Sequence, residues 1–587
     1  MKKSMLMLLS LLLVFSLFLA ACGSENDNES GNDSNETEEP ATDENNGEDA
    51  AEGEIPEPQE GGTITVGAGA EFNGILDINF YSNASDAEIL NFTTDNLISF
   101  NEQMQPQPNI ATWEEKDDTT LAFTFKEGVK WHNGDELTVN DWVFALETLA
   151  NKEYPGDRWV NVANIKGAEA FREGNADSIE GINVIDDYNI EITFEKPEVN
   201  NLINLWTYPL HKASFENIPV ADMLDSELVR TAPISTGPFK VKNVVQGEFV
   251  ELERFDDYWQ GKPYLDGVNI KVFDDSLVTG ALESGEIDFV NAHPSKMEEI
   301  KGMNSVKLEI LPGLSYSYIG FKLGKWDAEN TLNVTDETNK YGDVRLRQAM
   351  SYAINRQLII DEFFSGLGLP IYTPSSSSHW ITADNADLIE YDYNPEKAME
   401  LLDEAGFIDV DGDGFREDPE GNVFTIKFGH YSGREQFELR SQLMMQYWQE
   451  VGLNAEYATG QLVDANLYYD MLENDDPEIE VYFGGWVTGV DPDPYPTWGS
   501  GALWNMTRWV DDKHEQLLLD AKDFNVVGSD QDARKELYVE WQQLFNEQLP
   551  AIPLFEYQEL FAINQNLFGV YLDVVGPDKE HEWYIAQ

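Results

Sequence analysis

The chain has 587 residues, with 109 Asp and Glu against 37 Lys and Arg, which gives a formal net charge of -72 at pH 7. So acidic a field repels phosphates and excludes nucleic acid as a partner, and it favours a soluble monomer. Apolar residues make up 42% of the chain, enough for packed cores in about two to four domains. Because salt would screen this charge, we expect a saline or alkaline habitat.

Residues 1–21 predict a cleavable signal peptide, with basic Lys2 and Lys3 before an apolar segment. That segment is near the lower length limit of a spanning helix, so an uncleaved anchor is the alternative. The sequence Leu19-Ala20-Ala21-Cys22 resembles the bacterial lipobox, in which the cysteine receives a diacylglyceryl group. A second acyl chain on the new amino terminus would complete a stable anchor. Cys22 is the only cysteine, which excludes an intramolecular disulfide.

Residues 22–60 predict a lipidated linker. From residue 23 to residue 60 the linker has no Lys or Arg and almost no large apolar residue. Such a segment cannot bury enough apolar surface to fold, and its charges repel one another. We therefore expect a disordered acidic tether between the lipid and the folded part of the chain.

From residue 61 onward, strand patterns and helix patterns are mixed. The alternating apolar patterns typical of strands lie at residues 61–67, 119–126, 189–194, 250–254 and 268–272. The apolar spacing typical of helices lies at residues 139–149, 343–364 and 395–405. This mixture predicts an α/β or α+β protein, and it excludes the all-α and all-β classes.

Eight short strings occur in an order that resembles the family 5 extracellular solute-binding proteins, which are the oligopeptide-, dipeptide- and nickel-binding receptors of ABC importers. The strings lie at residues 113–144, 235–239, 253–259, 285–288, 318–321, 343–354, 401–407 and 549–554. Together they extend across residues 61–587 almost without interruption. A single string would be weak support, whereas eight in the same order make coincidence improbable.

The resemblance implies an α/β, two-lobe periplasmic-binding-protein-like fold of type II, in the large cluster C form, with an inserted subdomain in the first lobe. Hinge closure of two lobes can bury a ligand on all sides. The implied boundaries place lobe one at 61–102, 225–325 and 536–587, the insertion at 103–224, and lobe two at 326–535.

The resemblance also implies a function. We expect a lipid-anchored receptor on the extracellular face of the cell membrane, which captures oligopeptides and delivers them to the permease subunits of an ABC transporter. ATP hydrolysis would belong to separate ATPase subunits, and the receptor itself requires no cofactor. The same role for an oligosaccharide or a nickel complex is the alternative, and the abundant Trp and Tyr residues keep the sugar option open.

In peptide-binding relatives, a strand-like Gly-Trp segment pairs with the peptide backbone, and an acid after it binds the α-amino group. Here the segment includes Gly485, Trp486 and Val487, and Asp491 is the expected anchor, with Asp493 as its rival. Many relatives place the acid three residues after the Trp, so Asp491 requires a local shift; the alternative is that residues 491–494 form only a rigid turn. Trp486 can flank a ligand side chain or belong to the core. The facing lobe would contribute an extended segment at Ser82, Asn83 and Ala84.

A separate acidic loop has the spacing of an EF-hand calcium loop, with glycine at the sixth position. No second helix follows, so a structural Ca²⁺ is expected rather than a sensor, and an ordinary acidic turn is the alternative. The expected ligands are Asp409, Asp411, Asp413, the main chain of Phe415, Glu417 and Glu420.

An enzyme is the rival class of protein. The sequence has no Gly-x-Ser-x-Gly elbow, no His-Glu-x-x-His zinc helix and no Walker loop. Its seven histidines are scattered, and lipidation would occupy the only cysteine. We therefore expect no enzymatic activity, and a secreted hydrolase is only a remote alternative.

Overall fold

A 16-residue strand, Val306–Phe321, and a 14-residue strand, Ala551–Asn564, pair in the middle of a large sheet. They belong to a computed structural model that describes residues 56–433 and 435–586, a compact unit that begins at Pro56. The predicted signal peptide, the lipid site at Cys22 and the linker as far as residue 55 lie outside the described residues.

The strands of the described residues are numbered in chain order. They are β1 Thr63–Ala68, β2 Ile98–Phe100, β3 Pro106–Pro108, β4 Ala111–Asp117, β5 Thr120–Phe125, β6 Ile182–Val184, β7 Asn189–Thr193, β8 Phe239–Val245, β9 Phe249–Arg254, β10 Gly267–Val272, β11 Phe289–Ala292, β12 Val306–Phe321, β13 Gly324–Asp327, β14 Leu332–Thr335, β15 Gly368–Pro370, β16 Thr425–Gly429, β17 Asn454–Tyr457, β18 Val481–Val487, β19 Ala551–Asn564, β20 Leu567–Phe568, β21 Tyr571–Asp573, β22 Gly576–Asp578 and β23 Tyr584–Ile585.

The α-helices of the same residues are numbered likewise. They are α1 Ala84–Thr93, α2 Val139–Ala150, α3 Ala168–Arg172, α4 Asn201–Asn204, α5 Lys212–Phe215, α6 Glu227–Arg230, α7 Val278–Ser284, α8 Met297–Ile300, α9 Val344–Tyr352, α10 Arg356–Phe364, α11 Pro395–Ala405, α12 Glu435–Glu450, α13 Ala465–Glu473, α14 Tyr495–Trp498, α15 Asp512–Asp520, α16 Phe524–Val527 and α17 Gln531–Gln548.

The large sheet has the strand order β17-β16-β18-β12-β19-β11-β1-β10-β9-β8, and β15 pairs with β19. Strand β12 pairs with β18 through residues 315–321 and with β19 along almost the whole length of β12. The pairing with β19 has bulges between Pro312 and Tyr316 and between Ser317 and Tyr318. Strands β12 and β19 therefore join the two halves of the sheet. A separate sheet, β4-β5-β7-β6, lies within the predicted insertion.

Around β12 and β18, the large sheet has a hydrophobic core on each face, because alternate residues of a strand point to opposite faces. Ile319 and Phe483 belong to the core on one face, which also contains Trp448 from α12. Tyr318 and Tyr482 belong to the core on the other face. The part of the large sheet around β1, β9 and β10 has a core of its own. The small four-stranded sheet packs its core against α2.

Most predicted elements are confirmed within a residue or two. The helix expected at residues 139–149 is Val139–Ala150, capped by Thr138 and Asp141. The helical region expected at residues 343–364 consists of two helices, Val344–Tyr352 and Arg356–Phe364. A new helix starts there because the Asn355 side chain accepts a hydrogen bond from Leu358 N–H at 3.0 Å, the usual role of an N-cap residue.

None of the helices in residues 56–433 and 435–586 combines the length and the apolar composition that crossing a membrane requires.

Candidate functional site

The end of strand β18 presents its main chain in two directions. The Thr488 N–H, one residue after the strand, donates to the Leu314 C=O at 2.9 Å. In an antiparallel pair, residues two apart direct their N–H and C=O groups to the same side. The backbone groups of Trp486 therefore face β12, and those of Gly485 and Val487 face away from it.

On the side away from β12, the neighbouring strand ends early. The pairing of β18 with β16 stops at Gly429 and Tyr482. The next carbonyl on that side, that of Phe483, accepts the Tyr468 hydroxyl at 2.7 Å. Beyond it the side chain of Val487 is 79% exposed. Among the described residues, no strand pairs with this part of β18 on that side. It is an open sheet edge, the kind of surface to which an extended peptide can add a strand.

Two glycines keep the end of β18 narrow. A Cβ on Gly484 would lie 2.7 Å from the Tyr318 ring, so no larger side chain fits there without moving that ring. A Cβ on Gly485 would lie 3.2 Å from the Tyr316 carbonyl oxygen, which is a tight contact, and would otherwise meet only Ser317 within 4 Å. Trp486 is half-buried on the face of the strand opposite to Gly485. Its ring is edge-on to that of Trp504, with 6.0 Å between the ring centres.

Asp491, the expected anchor for a ligand amino group, already has a cationic partner. Its Oδ1 lies 3.1 Å from the Arg534 guanidinium, and its Oδ2 accepts a hydrogen bond from Asn200 Nδ2 at 2.8 Å. Burial lowers the pKa of Arg534, but Asp491, Tyr538 and Asp493 together outweigh the effect of burial and raise the pKa overall. The charge-assisted bond that we expected with a ligand ammonium is made here with a guanidinium.

Asp493, the rival anchor, lies in the same turn with different partners. It accepts hydrogen bonds from Tyr495 N–H at 3.0 Å and from the Tyr538 hydroxyl at 3.3 Å. Burial, and then repulsion from Asp491, raise the pKa of Asp493 to about 6. A cation that approached the two aspartates would be attracted to Asp493 only at a pH at which that carboxyl group is ionised.

The segment expected to be extended at residues 82–84 needs correction. Asn83 has extended backbone, with φ -129° and ψ 158°, but Ala84 already begins helix α1. The Asn83 side chain accepts a hydrogen bond from Asp86 N–H at 2.8 Å and so caps that helix. Of the three residues, only Ser82 and Asn83 therefore lie outside the helix.

Two residues of this region, Asn200 and Arg534, are not predicted from the sequence. Both are buried, with 1% and 7% of their surface exposed. They contact Asp491 from positions 291 and 43 residues away in the chain. No local motif marks either of them, so only the folded structure reveals their contacts.

A family model for bacterial extracellular solute-binding proteins, family 5 (middle), matches residues 105–506. The chain belongs to this family. The family 5 chain is 28% identical over 583 residues to the oligopeptide-binding protein AppA of Bacillus subtilis (strain 168), covering 97% of this chain and 96% of the relative. It is 27% identical over 480 residues to the oligopeptide-binding protein OppA of Lactococcus lactis subsp. cremoris (strain SK11), covering 78% of each.

Solved structures confirm the predicted α/β, two-lobe fold class of this family 5 protein. The structure of Bacillus subtilis AppA in complex with a nonapeptide has a TM-score of 0.72 at 26% identity, covering 90% of this chain and all of that one. Lactococcal OppA, in the closed conformation with an endogenous peptide, has a TM-score of 0.77 at 23% identity, covering 89% and 99%. The predicted boundaries of lobes and insertion stay predictions.

In this family 5 chain, the acidic loop brings together three of the expected calcium ligands. Carboxylate oxygens of Asp409, Asp411 and Asp413 lie within 4.8 Å of one another, and all three side chains are exposed. Backbone N–H groups hold them, with Gly412 and Gly414 donating to Asp409 at 2.7 and 3.1 Å.

The remaining expected calcium ligands are not part of that trio. Glu417 is buried, and its Oε2 accepts a hydrogen bond from Val410 N–H at 2.7 Å. Phe415 donates its N–H to Asp413 at 2.8 Å, and Glu420 lies in the following turn. Calcium binding stays a prediction for this loop.

Proposed function

We propose that this protein is a lipid-anchored receptor that captures oligopeptides outside the cell and delivers them, unaltered, to the permease subunits of an ABC transporter. The relatives named above as oligopeptide-binding proteins support the choice of ligand. The family itself is one of extracellular solute-binding proteins. The lipid would be attached at Cys22, and ATP hydrolysis would take place on separate subunits.

The observation that carries this proposal is the open edge of β18. The backbone groups of Gly485 and Val487 point away from β12 at the place where β16 no longer pairs with β18. Main-chain pairing recognises what all peptides share, whereas side chains of any sequence can occupy the space alongside. A receptor that reads the main chain therefore accepts peptides of varied sequence.

Asp491 and Asp493 remain the proposed anchors for the amino terminus of the peptide. Because Arg534 already balances the charge of Asp491, the ammonium would have to share that carboxylate with the guanidinium or displace Asn200 from it. Comparing the affinities of peptides with a free and with an acetylated amino terminus shows whether either aspartate binds the ammonium group. If Asp491→Asn and Asp493→Asn each bind both peptide forms as the unaltered protein does, the anchor assignment is wrong.

The proposed function is tested by identifying what the protein carries. Native mass spectrometry of protein purified without denaturation is expected to show bound masses that resolve into peptides. Calorimetric titration of ligand-free protein with peptides of mixed sequence is expected to show saturable binding. Bound sugars or nickel complexes together with silent peptide titrations would overturn the choice of ligand. Cleavage of the peptides during the titration would overturn the assignment to a receptor without enzymatic activity.

A further inference from the structure

The predicted insertion shares a hydrophobic core with the predicted first lobe. Ile75, Phe80 and Leu97 of the lobe belong to the same cluster of buried residues as α2 and the four-stranded sheet of the insertion. The Leu97 N–H also donates to the C=O of Thr207, in the insertion, at 3.0 Å. Because they share this core, the insertion and the first lobe should move as one body.

Residues 197–200, which we call the strap, connect this body to the predicted second lobe. The Val199 N–H donates to the Lys522 C=O at 3.1 Å, and the Phe524 N–H donates to the Pro197 C=O at 3.0 Å. Together these two bonds form a short antiparallel bridge. The strap therefore joins the same two bodies that strands β12 and β19 connect, at a place far from those strands in sequence.

Asn200 extends the strap to Asp491. It occupies the N-cap position of α4, and asparagine is among the residues that cap helices best, yet its side chain makes no capping hydrogen bond. Instead its Nδ2 donates to Asp491 Oδ2 at 2.8 Å, and only 1% of Asn200 is exposed. The strap thus holds one of the two carboxylates proposed above to bind the ligand.

Two cavities border the strap, so the contact between the two bodies is narrow there. One cavity of about 250 Å³ is lined by residues 115–121 of the insertion and residues 528–529 of the second lobe. Another of about 220 Å³ is lined by residues 104–106 and residues 528–531. Val199 lines both. Because these cavities separate the facing surfaces, the hydrogen bonds of the strap make a large part of the contact.

The opposed residues of the bridge are both acidic. Glu198 and Asp523 are the paired residues, and the two hydrogen bonds lie on either side of them. In an antiparallel pair of this kind the side chains are close, and like charges directly opposite each other are destabilising. The bridge is therefore weaker than its hydrogen bonds alone would make it, as a contact that opens and closes must be.

We propose that the strap is a latch, which holds the cleft between the lobes closed in the ligand-free protein and releases before a ligand reaches Asp491. Removing a contact that exists only in the closed form shifts the population towards the open form. The main-chain bridge can form again over a bound ligand, and it then slows release. The claim for the ligand-free protein stands alone, whereas the claim for release rests on the proposed function.

Fluorescence resonance energy transfer measures the distance between the two bodies. Val160→Cys in the insertion and Val423→Cys in the second lobe place dyes at side chains that are 73% and 81% exposed. Cys22→Ser removes the only native thiol. Ligand is removed by unfolding, dialysis and refolding, and native mass spectrometry checks that none remains. We expect a closed population in the ligand-free protein, and a protein that is open throughout would overturn the proposal.

Proline at residue 524 should break the latch and leave the fold intact. Phe524 is the first residue of α16, where proline is well tolerated, and the preceding Asp523 already has the extended backbone that proline requires, with φ -77° and ψ 113°. Phe524→Pro removes the N–H that bonds Pro197, whereas the matched control Phe524→Ala keeps it. The ratio of closed to open protein should be about 3- to 10-fold lower in Phe524→Pro than in the control. Equal ratios would overturn the proposal.

A further variant should strengthen the latch, which damage to the structure would not do. Glu198→Gln removes the repulsion from Asp523 and is expected to raise the ratio of closed to open protein, up to about fivefold in 0.01 M salt. The rise should be smaller in 0.15 M salt, where the charges are screened more. Glu195→Gln is the control, because it makes the same change of charge at an exposed residue outside the bridge. An equal rise in the control, or no rise in Glu198→Gln, would contradict the role of the bridge.

Ligand release separates the latch from the proposed function. The probe is a dansyl-labelled version of a peptide that the native mass spectrum identifies, and stopped-flow fluorescence follows its release into excess unlabelled peptide. Because the cleft must open first, Phe524→Pro should release the probe about 3- to 10-fold faster than Phe524→Ala. Equal rates would overturn the claim for the bound state. If no peptide binds the unaltered protein, the proposed function fails, and the energy-transfer measurements still decide whether the strap is a latch.

Discussion

Asp491 and Arg534 form a buried ion pair with 3.1 Å between Oδ1 and the guanidinium nitrogen, and only 12% and 8% of the two side chains are exposed. Asn200, from the predicted insertion, donates to the second oxygen of the same carboxylate. The pair therefore connects α17, the turn after β18 and the segment at residue 200.

Replacing one partner of this pair is expected to be more damaging than replacing both. Asp491→Ala should lower the free energy of unfolding by about 3 to 5 kcal/mol, because it leaves the Arg534 charge buried and unpaired. The double variant Asp491→Ala with Arg534→Met should regain most of that loss. Urea denaturation measures all forms, and an Asp491→Ala variant as stable as the unaltered protein would contradict the pairing.

The elements of the fold followed from sequence wherever the pattern is local. The apolar spacing of residues 139–149 and the capping pair Thr138 and Asp141 are adjacent in the chain, and the helix forms there. The break at Asn355 is not predicted from the sequence because the apolar spacing continues across it, and only the cap shows that a new helix starts. At residue 84 the capping role of Asn83 decided the backbone in the same way.

The candidate site was predictable in position but not in its charges. The Gly-Trp segment of the sequence lies at the end of β18, where the edge of the sheet is open. The partners of Asp491, which are Arg534 and Asn200, come from segments far apart in sequence. Charge balance inside a protein is a property of packing, so the sequence gives no sign of which cation neutralises Asp491.

The open edge can be tested through its backbone. Val487→Pro removes one N–H that faces away from β12, and proline is tolerated on an open edge. We expect peptide affinity to fall by about 1 kcal/mol, or about fivefold, through one lost hydrogen bond. Val487→Ala is the matched control, because it shortens the side chain and keeps the N–H. Equal affinities in the two variants would show that peptides do not pair here.

Glu580 predicts a dependence of stability on pH. It is 7% exposed, and burial raises its pKa to about 8. Between about pH 5 and 8 the folded protein keeps a proton that the unfolded chain has released, so stability falls as pH rises, by up to about 1.4 kcal/mol per pH unit. Glu580→Gln should match the unaltered protein at pH 5 and exceed its stability at pH 9.

The control for this measurement lies two residues away. Glu582 has 57% of its side chain exposed, so Glu582→Gln should leave the dependence on pH unchanged. Thermal unfolding of the three proteins at both pH values provides the comparison. A Glu580→Gln variant whose stability falls between pH 5 and pH 9 as steeply as that of the unaltered protein would show that this carboxyl is ionised throughout the range.

The acidic loop predicts calcium binding that stabilises the protein. The exposed carboxylates of Asp409, Asp411 and Asp413 repel one another, and a divalent cation would relieve that repulsion with the oxygen ligands it prefers. Calorimetric titration of chelated protein should give saturable heat, and calcium should raise the unfolding temperature. Both effects should vanish when the three aspartates are replaced by Asn and persist in Asp418→Asn. No heat at millimolar calcium would exclude the site.

Salt is expected to stabilise this protein through screening. With a formal net charge of -72, the folded state repels itself, and the Debye length falls from about 30 Å at 0.01 M salt to about 8 Å at 0.15 M. The unfolding temperature should therefore rise most steeply below about 0.2 M NaCl and flatten towards 1 M. A rise confined to molar salt would indicate general exclusion of the salt from the protein surface. An unfolding temperature that is constant or falls across the whole range would show that the acidic surface does not limit stability.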